Sequence, residues 1–70
     1  MAGKKVKLIA STDCKLRELG ARIKRARLRR NISAEMLSEK AGIGESTFYA
    51  IERGASTVSI GAYAAVLSVL

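Results

Sequence analysis

Apolar residues recur at spacings of three and four through most of this chain, and four helices follow from that pattern. Leu16, Leu19, Ile23 and Ala26 make the first stripe, which occupies one face of a 3.6-residue helix. Ser11, Thr12 and Asp13 stand just before it and each suits a helix N-cap, so the spacing predicts a first helix from about Asp13 to about Arg30. Asn31 tolerates the left-handed backbone that closes a helix, Ile32 returns an apolar side chain to the centre, and Ser33 caps the next helix. That second helix, Ala34 to Ala41, turns Met36 or Leu37 inward together with Ala41 and leaves Lys40 outside. Gly42-Ile43-Gly44 then supplies a tight turn with one apolar plug. A third helix begins near Glu45, keeps Phe48 and Ile51 inward and stops at Gly54.

Ser59 caps a fourth helix with Ile60, Tyr63, Val66, Leu67 and Leu70 at helical spacing. Ala62, Ala65 and Val69 fall on its supposed outer face, so this helix is apolar nearly all round, the pattern of a contact surface or of an alanine-rich exterior. Its stripe runs to Leu70 without a cap, which leaves open a longer natural chain or a partner over the end. Ahead of the first helix, Lys5-Val6-Lys7-Leu8 alternates polar and apolar, fitting either a strand that needs a partner or a flexible basic arm. The expected organisation is therefore an arm over residues 1–12 and one helical domain over 13–70. Val6 and Leu8 of the arm rival Ala62, Ala65 and Val69 as the surface on which two copies would meet.

Charge sharpens this picture. Thirteen Lys and Arg against six Asp and Glu give +7 on 70 residues, which points to a polyanionic partner. Residues 1–30 hold eleven basic and two acidic side chains, while residues 31–70 hold two and four, so the excess sits on the arm and the first helix. Lys15, Arg17, Arg22, Lys24, Arg25 and Arg29 occupy that helix's polar faces. Residues 54–70 are uncharged, yet Gly54, Ser56, Thr57, Ser59, Gly61 and Ser68 dilute them, so they read as a buried helix and no membrane partner is expected.

Chemistry for catalysis is sparse. Histidine is absent and the six acids form no close pair in apolar surroundings, so no enzyme, cofactor or metal site is expected. Cys14 is the only cysteine, which excludes an intrachain disulfide and a multi-cysteine zinc site and fits a structural thiol in a reducing, cytoplasmic setting. Val6 to Ala10 is too short for a signal-peptide core. Two charges break the pattern instead. Arg27 lies four residues after Ile23, and Glu52 four after Phe48, so both sit on apolar stripes where an unpaired charge is expensive. They should pair.

The run from Ser33 to Gly54, with Leu37, Ala41-Gly42, Ile43, Phe48, Ile51 and Glu52-Arg53-Gly54 in register, resembles the Xre-like helix-turn-helix of phage repressors. Leu19-Gly20, Arg22-Ile23 and Ala26-Arg27 resemble that family's first helix, and the likeness covers residues 19–70. It implies an all-α, lambda-repressor-like bundle of four to five helices, with the third helix laid in the major groove of double-stranded DNA, and it implies the same Arg27–Glu52 bridge. It places Glu45, Ser46, Tyr49 and Ala50 against the bases. Glu45 could accept from a cytosine amino group, Ser46 bond either base type and Ala50 touch a thymine methyl; Glu45 could equally serve only to complement the positive helix N-terminus. For phosphate it implies the backbone N–H groups of Ser33 and Ala34, with Arg22, Lys40, Arg53, Ser56 and Thr57. The sequence departs from the family at Ala34, where a glutamine usually contacts phosphate.

Within the family, the tail from Gly54 to Leu67 is similar to that of HipB-like antitoxins. This implies a homodimeric autorepressor on a palindromic operator, with recognition helices about 34 Å apart, that also binds a HipA-like kinase toxin. A protein-interaction adaptor that keeps the fold without reading bases is the alternative. Binding of the basic first helix to an anionic membrane is a third possibility, though Arg27 on its apolar stripe spoils the amphipathicity required.

Overall fold

The computed structural model describes residues 8–70. Val6 and the lysines of the expected arm lie outside the described residues. Four helices follow in order, α1 (Ala10–Arg29), α2 (Ala34–Ala41), α3 (Glu45–Glu52) and α4 (Ile60–Val69), with no strand among the described residues. The fold class is the all-helical bundle that the apolar spacing predicts.

Three of the four helices end in the same way. Asn31 (φ 56°), Gly42 (φ 73°) and Gly54 (φ 73°) adopt the left-handed backbone after α1, α2 and α3. Each is bracketed by a pair of reverse hydrogen bonds: Asn31 N–H to Leu28 O and Ile32 N–H to Arg27 O, Gly42 to Glu39 and Ile43 to Ser38, Gly54 to Ile51 and Ala55 to Ala50, all at 2.9–3.2 Å. This is the Schellman arrangement, which satisfies last-turn carbonyls and reverses the chain within six residues. Ile32 and Ile43 then pack on the core. At the N-termini, Ser33 accepts from Met36 N–H at 3.0 Å and Ser59 from Ala62 N–H at 3.2 Å, as their side chains predict.

The start of α1 differs from expectation. It begins at Ala10, three residues before Asp13, on an extended Ile9 whose side chain supplies no cap. Ser11 and Thr12 therefore lie inside the helix. Asp13 remains in the first turn, where it faces the helix dipole and pairs with Arg17 one turn on at 2.9 Å.

Ile23, Leu37, Phe48, Ile51 and Val66 are fully buried, with Ala34 and Tyr63 beside them. Leu37, not Met36, is the inward residue of α2; Met36 is 49% exposed. On α4 the expected phase is corrected. Tyr63, Val66 and Leu70 turn inward as expected, but Ile60 (87% exposed) and Leu67 (48%) face outward, whereas Ala62 and Val69 pack on the core and Ala65 is half-buried. A helix apolar on every side carries no polar face to set its rotation. The Tyr63 hydroxyl, donating to Ala55 O at 2.7 Å, and the buried Tyr63–Val66 pair set it instead. Cys14 is free and exposed, so it has no place in the core.

The main packing pairs are α1 on α3, α2 on α3 and α2 on α4, while α1 and α4 touch only marginally. Gly20 brings α1 against the end of α3. A Cβ there would stand 2.5 Å from Ile51 O and 2.7 Å from Glu52 O, so only a glycine lets the two backbones close to this distance.

Candidate nucleic-acid interface

The position of α3 is set from beneath by three contacts. Phe48 and Ile51 are wholly buried, which commits one face of this eight-residue helix to the core. Arg27 of α1 reaches across to Glu52, Nε to Oε2 at 2.8 Å, with side chains only 11% and 6% exposed. The same guanidinium donates through Nη1 to Ile32 O at 3.0 Å and lies over the Phe48 ring, 5.8 Å from its centroid. One cation thus joins α1, the loop before α2, and α3, and a charge so shielded is tolerated because its donors are used.

With that face committed, the opposite face of α3 must point outward. Glu45, Ser46 and Tyr49 are exposed, Tyr49 by 46%, and Ala50 is half-buried. The Tyr49 ring meets Phe48 edge-on, centroids 6.2 Å apart, so the ring is braced against a core residue while the residue stays exposed. Gly44 caps α3 through extended backbone with no side-chain bond, and Glu45 stands in the first turn, beside the positive end of the helix.

Two hollows flank this ridge. On one side Ser46, Thr47, Ala50, Thr57, Val58 and Ser59 line an open groove of about 440 Å³, rich in hydroxyls. On the other, Lys24, Tyr49 and Arg53 surround a hollow of about 270 Å³ with Arg27 and Glu52 also in its lining. Base-reading candidates and cations therefore share one surface, as a duplex with phosphates either side of its groove requires. Thr47, Ser59 and Lys24 were not foreseen. Lys24 carried a signal, since it precedes Arg27 by three residues and so lies on the α3 side of α1.

The other expected phosphate contacts divide. Thr57 joins the hydroxyl groove, Arg53 flanks Tyr49, Ser33 is exposed at the start of α2, and Lys40 is exposed on α2. Ala34 was expected to contribute only its backbone N–H, and the side chains of two others do not join this surface. Ala34 is buried, so only its backbone could meet a phosphate. Arg22 lies on the α4 side of α1, beside Leu67 and Leu70. Ser56 lines a hollow between α1 and α4 with Leu16, Leu19 and Tyr63. For Arg22 and Ser56 polarity is a property of the side chain alone, whereas the way the helix or loop turns depends on packing. Leu8 lines that same hollow.

Among the described residues no helix is long and apolar enough to cross a membrane. No curated protein and no solved structure matches the chain significantly. The helix-turn-helix domain family matches residues 18–70, a span that takes in all of α2, α3 and α4 and most of α1. The chain belongs to the helix-turn-helix domain family, and it is on this basis a DNA-binding regulator.

Proposed function

We propose that this protein is a sequence-specific repressor of transcription that binds a palindromic operator as a homodimer and acts by binding alone, without catalysis. The observation that carries this reading is the outward face of α3. Phe48, Ile51 and the Arg27–Glu52 pair hold the helix from below, and Glu45, Ser46 and Tyr49 stand clear of the protein. Lys24 and Arg53 beside Tyr49, and Ser33 at the start of α2, supply the flanking phosphate contacts.

The test is a titration of labelled duplex from the region upstream of the protein's own gene against random duplex, from low to high salt. A repressor prefers its operator by about a thousandfold or more at physiological salt, with affinity falling steeply as salt rises. Equal affinity for both duplexes would sink sequence-specific repression, and no salt-dependent binding at all would leave the adaptor reading.

The narrower role, an antitoxin that represses its own operon and restrains a HipA-like kinase, rests on the tail from Gly54 to Leu67. Its test is direct mixing with a kinase encoded beside the gene. A stable complex on gel filtration supports the role, and separate elution of the two proteins removes it.

A further inference from the structure

A trough separates α1 from α4. Leu16 and Leu19 form one wall, Ile60, Ala64 and Leu67 the other, and Val58 and Tyr63 also line this part of about 520 Å³. It is almost wholly apolar, and it adjoins a second apolar hollow of about 310 Å³ that shares Leu19 and Leu67 and reaches Leu70. The two together run along both helices. Ile60 and Leu67 are the most exposed large apolar residues of α4, and a continuous apolar surface of this kind marks a place where another molecule sits.

The edges of the trough say what that molecule is. Along α1, Lys15, Arg22 and Arg29 recur every seven residues and are all exposed, which puts them on one stripe beside Leu19 and Ala26. Arg22 and Arg30 line the second hollow directly. Glu18 stands on the outward side of that stripe, which still leaves an excess of positive charge on the α1 edge. The α4 edge has none, since residues 54–70 are uncharged.

We propose that this trough docks an amphipathic helix of a partner protein, with apolar side chains at i, i+3, i+4 and i+7 toward the floor and acidic residues along the flank that meets α1. Other occupants fit less well. A second copy docked through this same trough would bring either the uncharged α4 or another basic α1, and neither neutralises the edge. Residues 1–7 carry three lysines and no acid. A flat anionic bilayer meets the cations but cannot enter a concavity between two helices. Nucleic acid would meet the cations and leave the leucines uncovered. The docking surface is also separate from the exposed face of α3, so the inference stands or falls independently of operator recognition.

The probe is a labelled synthetic helix with leucine at every third and fourth position and glutamate on its flanks, titrated onto the full chain. Saturable one-to-one binding is expected, weakened at least tenfold by Leu67→Glu and by Arg30→Glu and unchanged by Arg53→Glu beside α3. Ile60→Glu serves in place of Leu67→Glu if that variant loses its helical signal. A lysine-flanked or scrambled peptide binding equally well would overturn the proposal, as would binding insensitive to the α1 and α4 substitutions. Capture by phosphatidylserine vesicles without peptide binding would make it a membrane surface. Self-association abolished by Leu67→Glu, with no peptide binding, would make it a dimer interface.

Discussion

A Cβ on Gly20 would stand 2.8 Å from the backbone nitrogen of Gly54, and a Cβ on Gly54 only 2.5 Å from the Cα of Arg17. These two glycines let α1 lie backbone to backbone against the end of α3. Gly20→Ala should destabilise the protein by about 1–3 kcal/mol, because the neighbouring carbonyls belong to a fixed backbone and cannot yield. Gly61→Ala inside α4, where a Cβ meets only Ser59 Oγ at 3.8 Å, is the control and should be neutral or slightly stabilising. Urea denaturation of the two variants checks the contrast.

Breaking the bridge between α1 and α3 should cost more. Glu52→Ala leaves the Arg27 guanidinium shielded from water without its carboxylate, and a loss of about 3 kcal/mol or more is expected. The double variant Arg27→Met with Glu52→Leu should recover much of that loss, because it removes both charges and keeps apolar volume. A thermodynamic cycle on the wild type, Arg27→Met, Glu52→Leu and this double variant measures the coupling.

Much of this was legible in the sequence. Arg27 and Glu52 each sit four residues after a core residue, which reveals a charge on the wrong face and hence a partner. Asn31, Gly42 and Gly54 announce the helix ends because left-handed backbone is a local property. The rotation of α4 was not legible, since Ala, Val, Leu and Ile surround it and periodicity needs a polar face to act as reference. The contact at Gly20 was equally silent, as it involves backbone atoms that no side-chain pattern records. On the candidate nucleic-acid surface, the outward residues of α3 followed from the inward ones, but the placement of Arg22 and Ser56 depended on how α1 and the α3–α4 loop pack.

Substitutions around α3 should separate reading from gripping. Tyr49→Ala is expected to reduce the preference for operator over random duplex by about 1–3 kcal/mol, as loss of a base contact does. Arg53→Ala should weaken binding to all duplexes alike and lower the slope of log affinity against log salt by about 0.9. Anisotropy titrations over a range of salt distinguish the two signatures.

Tyr63 makes one contribution to stability that depends on alkaline pH. Burial raises its phenol above the ordinary value of 10.0, so the folded protein keeps this proton to higher pH than the unfolded chain does. The contribution is fully present below about pH 10 and is lost as pH rises from there through the folded value. Tyr63→Phe should flatten that alkaline decline while costing about 1 kcal/mol at neutral pH through the lost bond to Ala55 O. Stability measured across the alkaline range tests both parts.

Ser33→Ala should lower stability by about 1 kcal/mol, the usual effect of deleting a helix cap, because Met36 N–H loses its acceptor. Thermal unfolding would register the change.

α3 has eight residues, and isolated helices shorter than about 12–15 residues hardly form in water. The reading element therefore has no existence apart from the assembled domain. A peptide of residues 45–52 would be a poor inhibitor of DNA binding, and partial unfolding of the bundle would abolish binding outright instead of blurring it. DNA binding is in this way tied to the folding equilibrium, so that temperature or proteolysis acting on the core would act on binding.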